Sequence, residues 1–342
     1  MTTGQPSDFS FYHSLSRSIY LLISRSMVMD ESTRTADKND VQAWSNQEDS
    51  TTSERTNDVA ITRDGVEKTE GTAQTNDIET YYVQWGDGTP VVFIHGAIMD
   101  HRMWAPQLNE LSEEYSTVAY DVRGHGQTGG SDRDSYSVDL YVEDLDVLLD
   151  VLNIETPILC GLSMGGCIAQ AYAVKYPNKV SGLALADTFT PGSMGMTGRL
   201  IFANLRVFAV LDRVIRYKKL NRLQTWIGQR LKPGVAGDSV TIQQLIDNGP
   251  TIPHNEFVKV VRSLVAFPMS DLDLSNIDCP TVVLYGENEP SFVHRQAQMI
   301  ADTIPTASVR GIRGAGHASN LDNPEEFTAA VRKLAQIVDG DG

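Results

Sequence analysis

The sequence predicts an α/β protein in which a mostly parallel sheet is flanked by helices, and three observations support this fold class. Short apolar runs, for example at 91–94 and 180–186, alternate with segments of helical spacing, as in parallel strands buried between helices. A glycine-rich turn at 161–166 joins one such run to a helix-like segment. The alternation stops at 191–268, which is mostly helical, and then resumes, so a helical segment is inserted between two strands.

The individual elements follow from their spacing and their flanking residues. The segment 78–86 predicts a strand that leads into a Gly-Asp-Gly turn. The segment 137–152 has leucines at helical spacing, and Ser137 is placed to cap its first turn. The other predicted strands are short apolar runs, at 91–94, 117–120, 157–160, 180–186, 281–285 and 308–312.

These elements divide the chain into an extension, a core and a cap. The core is predicted at 75–190 and 271–342, with a helical cap insertion at 191–270. Residues 1–74 are expected to form the extension. Its second part, 30–74, is polar and acidic and has too little apolar surface to offset the entropy of ordering, so a disordered tail is expected.

The first 29 residues of the extension differ in composition from the rest of it, and three interpretations stay open. They form an amphipathic anchor, or they form a signal sequence, although a basic start and a small-residue cleavage site are missing. The third interpretation, favoured by the abrupt change in composition, is that translation starts at Met27 or Met29.

Composition opposes several classes of function. The chain has 342 residues and a net charge of −16, which disfavours non-specific binding to nucleic acid. No run of about 18 apolar residues occurs, so no stable membrane insertion is expected. Three cysteines do not make a disulfide scaffold and are typical of a reducing compartment, which predicts a cytoplasmic protein. Cys160 and Cys167 lie in apolar runs and are interpreted as core thiols.

The acidic composition also predicts the salt in which the protein works. Only 9 of the 28 basic residues are lysines, and an acidic, lysine-poor chain is typical of cells that hold molar salt. At about 1 M salt the Debye length falls to about 3 Å, so repulsion among like charges is screened. We therefore expect a halophilic protein of haloarchaeal origin.

The glycine-rich turn contains the motif G-x-S-x-G, centred on Ser163. It lies between an apolar run and a helix-like segment, which is the strand–turn–helix context of a nucleophile elbow. A serine hydroxyl becomes a nucleophile when an imidazole accepts its proton and a carboxylate orients that imidazole. The chain supplies both groups downstream and in that order, because Glu289 follows the strand-like run 281–285 and His317 follows 308–312.

From about 75 to 339 the chain resembles the α/β-hydrolase fold-1 superfamily. The resemblance lies in the motifs WGDGTP at 85–90, HG at 95–96, YDVRGHG at 120–126, the serine turn, and GAGH at 314–317. Within that superfamily, HRMWAPQ at 101–107 and LADT at 185–188 are similar to 3-oxoadipate enol-lactonase-like and carboxylesterase-like hydrolases.

The resemblance implies the α/β-hydrolase fold and a serine hydrolase that cleaves a small carboxylic ester or lactone through an acyl-enzyme. It implies neither a cofactor nor a metal. By position it assigns roles to five residues: Ser163 as nucleophile, His317 as base, Glu289 as acid, and the backbone N–H groups of Ala97 and Met164 as the oxyanion hole. His95 and His125 would brace loops rather than react.

The acid is the one assignment that departs from the family pattern, since most members have Asp where Glu289 stands. Two alternative acids stay open, Glu287 on the same loop and Asp187 at the end of the preceding strand. The reaction also has alternatives. Cofactor-free haloperoxidases or perhydrolases and carbon–carbon bond hydrolases use a similar triad, and some members of the fold are non-catalytic ligand-binding proteins.

The predicted cap is basic although the chain is acidic, with eleven basic and four acidic residues between 191 and 270. Three interpretations stay open. The basic side chains form solvated helix faces or pair with acidic side chains. Alternatively, some of them, with Arg206 and Arg213 as candidates, face inward and bind an anionic substrate. In the third, the mixed apolar and basic segment 205–223 is an interfacial lid.

Overall fold

The structure, a computed structural model, describes residues 58–61, 67–192, 194–220, 222–223, 243, 246–247, 249 and 251–340. The interpretations of residues 1–29 therefore lie outside the described residues. The described strands are β1 Asp58–Ile61, β2 Glu67–Thr75, β3 Ile78–Trp85, β4 Pro90–Ile94, β5 Ser116–Tyr120, β6 Ile158–Leu162, β7 Gly182–Ala186, β8 Thr281–Gly286 and β9 Ala307–Ile312. The described α-helices are α1 Ala105–Leu111, α2 Val138–Val151, α3 Met164–Lys175, α4 Gly195–Leu211, α5 His254–Ala266, α6 Ser291–Thr303, α7 Ser319–Asp322 and α8 Pro324–Gly340.

The described strands form one sheet of nine, in the order β1-β2-β3-β5-β4-β6-β7-β8-β9. From β5 to β9 in that order all neighbours are parallel, whereas β1, β2 and β3 extend one edge in antiparallel fashion. The strand order reverses direction around β4 and β6, and ligands of open α/β sheets bind at the carboxyl ends of the strands next to such a point. The predicted fold class is confirmed.

The strands β1 and β2, of which β2 is largely polar, correct the predicted boundary of the extension. Residues 58–61 and 67–74 were assigned to a disordered tail, but β2 pairs with β3 from Lys68 opposite Trp85 to Thr75 opposite Ile78. A strand in an antiparallel part of a sheet can face water on one side, so it needs few apolar residues. In β2 only Ala73 and Thr75 are buried. A tail that ends at 74 is therefore wrong.

The central strands are buried on both faces because helices cover both sides of the sheet. Alternate residues of β4 show this arrangement: Val92 and Ile94 pack towards α2 and α3, while Val91 and Phe93 pack towards α1 and α8. All four side chains are fully buried. Burial on both faces explains why the sequence shows continuous apolar runs here instead of alternation.

The predicted insertion at 191–270 contains α4 and α5, which pack against each other. Polar contacts attach α5 to the core: Glu256 accepts hydrogen bonds from the Tyr136 hydroxyl and from Lys259, whose ammonium group also donates to the Ser131 carbonyl at 2.8 Å. None of the helices in the described part of the chain is long and apolar enough to cross a membrane.

A buried arginine fixes the loop that follows β5. The Arg123 side chain is fully buried and donates two hydrogen bonds of 2.7 Å to Asp144 on α2. It also donates to Asp77, at 2.9 Å, in the turn between β2 and β3. Asp144 is buried with it, whereas the Asp77 side chain is 41% exposed.

We expect Asp144→Ala to lower the free energy of unfolding by about 3–5 kcal/mol, because it leaves the Arg123 charge buried without its main partner. Asp77→Ala is the matched control and should cost about 1 kcal/mol or less, since an exposed carboxylate contributes little. Chemical denaturation of the two variants measures the difference. Equal losses would contradict this account of Arg123.

Candidate active site

Ser163 lies in a sharp turn between β6 and α3. Its backbone has φ 54° and ψ −110°, a conformation that L-residues rarely adopt. The neighbouring glycines make the turn possible, because a Cβ on Gly165 would lie 2.0 Å from the Ile94 carbonyl oxygen and one on Gly161 would lie 2.3 Å from the Gly165 carbonyl oxygen. The turn therefore places the serine at the carboxyl edge of the sheet, beside the N-terminus of α3.

His317 and Glu289 complete a chain of hydrogen bonds with Ser163. His317 Nε2 lies 3.1 Å from Ser163 Oγ, and His317 Nδ1 lies 2.5 Å from Glu289 Oε1. Glu289 follows β8 and His317 follows β9, so loops after two neighbouring parallel strands bring them together. In this geometry the imidazole can accept the proton of the serine hydroxyl, and the carboxylate can fix the tautomer of the imidazole.

The two alternative acids, Glu287 and Asp187, lie in surroundings that differ from those of Glu289. Glu287 is exposed and makes no hydrogen bond to His317 among the described residues. Asp187 is buried and accepts hydrogen bonds from the Gly286 N–H at 2.8 Å, the Ser319 N–H at 3.1 Å and the Ser319 hydroxyl at 2.6 Å. Asp187 thus joins the loop that carries Glu289 to the loop that carries His317, and it does not contact the imidazole.

Electrostatics couple the histidine to both carboxylates. Partial enclosure of the ring lowers the pKa of His317, but the charge and the hydrogen bond of Glu289 outweigh this and raise that pKa to about 9. Burial, assisted by the negative charge of Glu289, raises the pKa of Asp187. Burial acts in opposite directions on the two pKa values, whereas the negative charge of Glu289 raises both of them.

The expected oxyanion donors lie on either side of the serine. Ala97 follows β4 and lines the same cavity as Ser163, and Met164 is the first residue of α3. The first N–H groups of a helix have no acceptor within it. Neither of the two N–H groups donates a hydrogen bond to another residue in the described parts of the chain.

His95 braces the loop that carries Ala97. Its Nδ1 donates to the Gly96 carbonyl at 2.8 Å and its Nε2 accepts from the Val122 N–H at 2.9 Å. This pattern requires a neutral ring, and burial lowers the pKa of His95 accordingly. His125 is also buried and packs edge-on against the His95 ring, away from Ser163.

A cavity of about 470 Å³ opens above Ser163, between the core and the helices α4 and α5. Its wall is largely aliphatic and aromatic, with Ile98, Leu162, Phe202, Phe208, Phe257 and Phe292 among the lining side chains. Among the described lining residues the carboxylic side chains are Asp187 and Glu289, and the cap contributes one polar side chain, Asn204. No lysine or arginine belongs to that described lining.

The structure corrects the expected substrate-binding role of Arg206 and Arg213. Both side chains are exposed, and neither lines the cavity, because α4 turns a different face towards it. Other cap cations pair within the cap: Lys218 with the carbonyls of Asp247 and Gly249, Arg222 with Asp247, and Lys259 with Glu256. Two further basic residues of the cap, Arg230 and Lys232, lie outside the described residues.

Sequence reasoning missed three contributors to this site. Thr188 donates to the Ser163 carbonyl at 2.7 Å, Ser319 binds Asp187, and Asn204 lines the cavity from the cap. No motif marks Ser319 or Asn204, and Thr188 belongs to the LADT motif at 185–188, which does not by itself indicate a bond to the serine turn. Thr188 and Ser319 lie within two residues of Asp187 and His317, and that proximity is the one signal that the sequence offers.

Comparisons with known proteins agree with this geometry. A family model described as alpha/beta hydrolase fold matches residues 89–324. The (E)-2-((N-methylformamido)methylene)succinate hydrolase of Acinetobacter baylyi is 27% identical over 267 residues, which are 75% of this chain and 94% of that protein. The 3-oxoadipate enol-lactonase 1 of the same organism is 26% identical over 243 residues, which are 69% of this chain and 85% of that protein.

Among solved structures, a thermophilic esterase from Thermogutta terrifontis matches with a TM-score of 0.65 and 26% identity, covering 79% of this chain and 98% of the esterase chain. The similarity to enol-lactonases and esterases expected from the sequence is therefore confirmed. The family match covers more than half of the chain and includes the serine turn, Glu289 and His317. This chain is an enzyme of the α/β-hydrolase fold family.

Proposed function

We propose that the protein hydrolyses neutral, largely apolar carboxylic esters or lactones through an acyl-enzyme on Ser163. The observation that supports this most directly is the hydrogen-bonded chain from Ser163 through His317 to Glu289 at the floor of an apolar cavity. A serine activated in this way attacks a carbonyl carbon, and a water-poor cavity strengthens the electrostatic interactions that stabilise the charge formed.

In the proposed mechanism Ser163 Oγ attacks the carbonyl carbon while His317 Nε2 accepts the hydroxyl proton. The N–H groups of Ala97 and Met164 donate to the oxyanion, which also lies at the positive end of α3. His317 then returns the proton to the leaving alcohol. A water molecule, deprotonated by His317, attacks the acyl-enzyme and releases the acid, while Glu289 stabilises the protonated imidazole throughout.

The chemistry of the cavity favours an uncharged substrate over an anionic one. The names of the two Acinetobacter relatives contain succinate and 3-oxoadipate, which are dicarboxylates. A second carboxylate of that kind would meet aliphatic walls here and the acidic side chains of Asp187 and Glu289. A buried carboxylate without a cationic partner is strongly unfavourable.

Two esters of equal chain length test the substrate class. We expect p-nitrophenyl hexanoate to be hydrolysed with a kcat/KM at least about a hundredfold above that of mono-p-nitrophenyl adipate, because the second ester buries an unpaired carboxylate. Initial rates measured at several salt concentrations separate this effect from long-range steering. A preference for the adipate ester would overturn the uncharged substrate class without affecting the serine mechanism.

The nucleophile is tested by labelling with a fluorophosphonate, which reacts with activated serines. We expect one labelled peptide, containing Ser163, and complete loss of labelling in Ser163→Ala and in His317→Ala, because the hydroxyl is a weak nucleophile without its base. Heat-unfolded protein is the control and should stay unlabelled. A folded protein that does not react would favour the non-catalytic ligand-binding alternative.

The pH dependence of kcat/KM reports the charge on His317. Only the neutral imidazole accepts the serine proton, so activity rises with pH through the raised pKa of His317, up to about pH 9. Glu289→Gln removes the charge that raises this pKa. We expect the rising limb to move to lower pH and kcat to fall by about 10⁴-fold. Glu287→Gln, two residues away and exposed, is the matched control and should change neither quantity.

A further inference from the structure

The helix α4 is apolar on two opposite faces. One face lines the substrate cavity through Phe202, Leu205 and Phe208. The other carries an exposed row of aliphatic side chains, here called the outer stripe, that consists of Met196, Leu200, Val207, Val210 and Val214, with Val214 in the turn that follows the helix. Their exposed fractions are 67%, 44%, 54%, 73% and 84% respectively. A contiguous row of exposed aliphatic side chains is typical of a surface that binds a partner or a membrane.

A row of positive charge runs alongside the outer stripe. Arg199 and Arg206 are seven residues apart on α4, which is two turns, so they share one side of the helix axis, and Arg213 follows after another seven residues, in the turn beyond the helix. All three are exposed, and none forms an ion pair with another residue in the described part of the chain. Among the residues that the structure describes, this arginine row thus has no acidic partner.

Acidic groups are almost absent from this face. The helix α4 itself contains none. Asp212, at its C-terminal end, is fully buried, where it accepts a hydrogen bond from the Tyr217 N–H at 2.6 Å and contacts His254 Nδ1 at 2.7 Å. The surface that α4 and the described turn after it expose beside the outer stripe is thus apolar and cationic, in a chain whose net charge is −16.

From this combination we infer that the outer stripe and the arginine row adsorb to the surface of an anionic lipid bilayer. Aliphatic side chains gain free energy by leaving water for the acyl region, and adjacent arginines bind the anionic headgroups. The two features run side by side along α4 and into the turn that follows it, so one orientation on the bilayer satisfies both. The remaining acidic surface is repelled by the same headgroups, which favours that orientation over others.

A second copy of the chain is a poorer occupant of this face. In a symmetric dimer each subunit presents the same patch to the other, so the arginine row would meet another cationic surface without acids. The outer stripe also lacks the aromatic side chains that are enriched at protein interfaces. A lipid surface supplies both the apolar phase and the negative charge that the face requires.

Adsorption in this orientation has a consequence for the cavity. Because the opposite face of α4 lines the substrate cavity, the cap would be the part of the protein nearest to the lipid. Binding of the outer stripe and the arginine row to a bilayer does not require catalysis by Ser163. Adsorption does, however, place the substrate cavity next to the lipid, which dissolves uncharged apolar esters.

Co-sedimentation with lipid vesicles tests the proposal on the whole protein. Vesicles of phosphatidylcholine alone are compared with vesicles that also contain phosphatidylglycerol, in about 0.1 M and about 1 M KCl. We expect the protein to sediment with the phosphatidylglycerol vesicles at the lower salt and to remain largely in solution with phosphatidylcholine alone. Binding to the anionic vesicles should fall at the higher salt, because the headgroup charge is screened.

Three variants identify the surface that binds. The triple variant Arg199→Gln, Arg206→Gln, Arg213→Gln should lower the partition coefficient on the order of a hundredfold, from about fivefold for each arginine. Val207→Ser with Val210→Ser should lower it as well, without a change in net charge. The matched control is the triple variant Arg295→Gln, Arg313→Gln, Lys333→Gln. It removes three positive charges from exposed residues of α6, of the loop after β9 and of α8, respectively, and it should bind like the wild type.

Thermal unfolding of each variant shows that it is folded, which is expected because every substituted side chain is exposed. Two results would overturn the proposal. One is a folded wild-type protein that stays in solution with phosphatidylglycerol vesicles, and the other is an equal loss of binding in the control triple variant. A dimer that dissociates in the Val207→Ser, Val210→Ser variant, without lipid binding, would assign the outer stripe to a second copy.

Discussion

The site depends on the sharp turn at Ser163, where a strand meets a helix with almost no intervening chain. The serine accepts an unfavourable backbone conformation, and the surrounding structure holds it there: the Ser163 N–H donates to the Ala186 carbonyl at 2.8 Å, and Thr188 donates to the Ser163 carbonyl. Glycines at 161 and 165 allow β4, β6 and α3 to approach one another closely. As a result the hydroxyl, the helix N-terminus and the loop of Ala97 converge on one point.

A second constraint lies beneath the reacting groups, in the buried carboxylate of Asp187. Three hydrogen bonds connect it to the ends of two different loops, so it fixes the spacing between Glu289 and His317. The longer side chain of Glu289 still meets His317 Nδ1 at 2.5 Å. Two of the three candidate acids, Glu289 and Asp187, thus have distinct positions beside His317. One hydrogen-bonds to the imidazole, and the other positions the loops around it.

The cap combines two surfaces of different chemistry on a single helix. Facing inward, α4 supplies aromatic and aliphatic side chains to the cavity, which sets the polarity that a substrate must match. Facing outward, it exposes aliphatic side chains beside arginines. The net charge of the cap segment therefore does not predict which charges line the cavity, because a helix distributes successive residues over all of its faces.

The sequence by itself determined the fold class and the proposed reacting residues, because local patterns encode them. Continuous apolar runs identified the buried parallel strands, and the glycines around Ser163 identified a turn that tolerates no side chain on either side. The sequence did not predict β1 and β2, because these strands become ordered through pairing, β2 with β3 and β1 with β2, and no local pattern specifies those contacts. Only the tertiary structure showed that Glu289 is the one of the three candidate acids that hydrogen-bonds to His317, because this contact depends on the meeting of loops that follow different strands. It likewise decided that Arg206 and Arg213 face away from the cavity, because the orientation of α4 is set by packing against the core and α5.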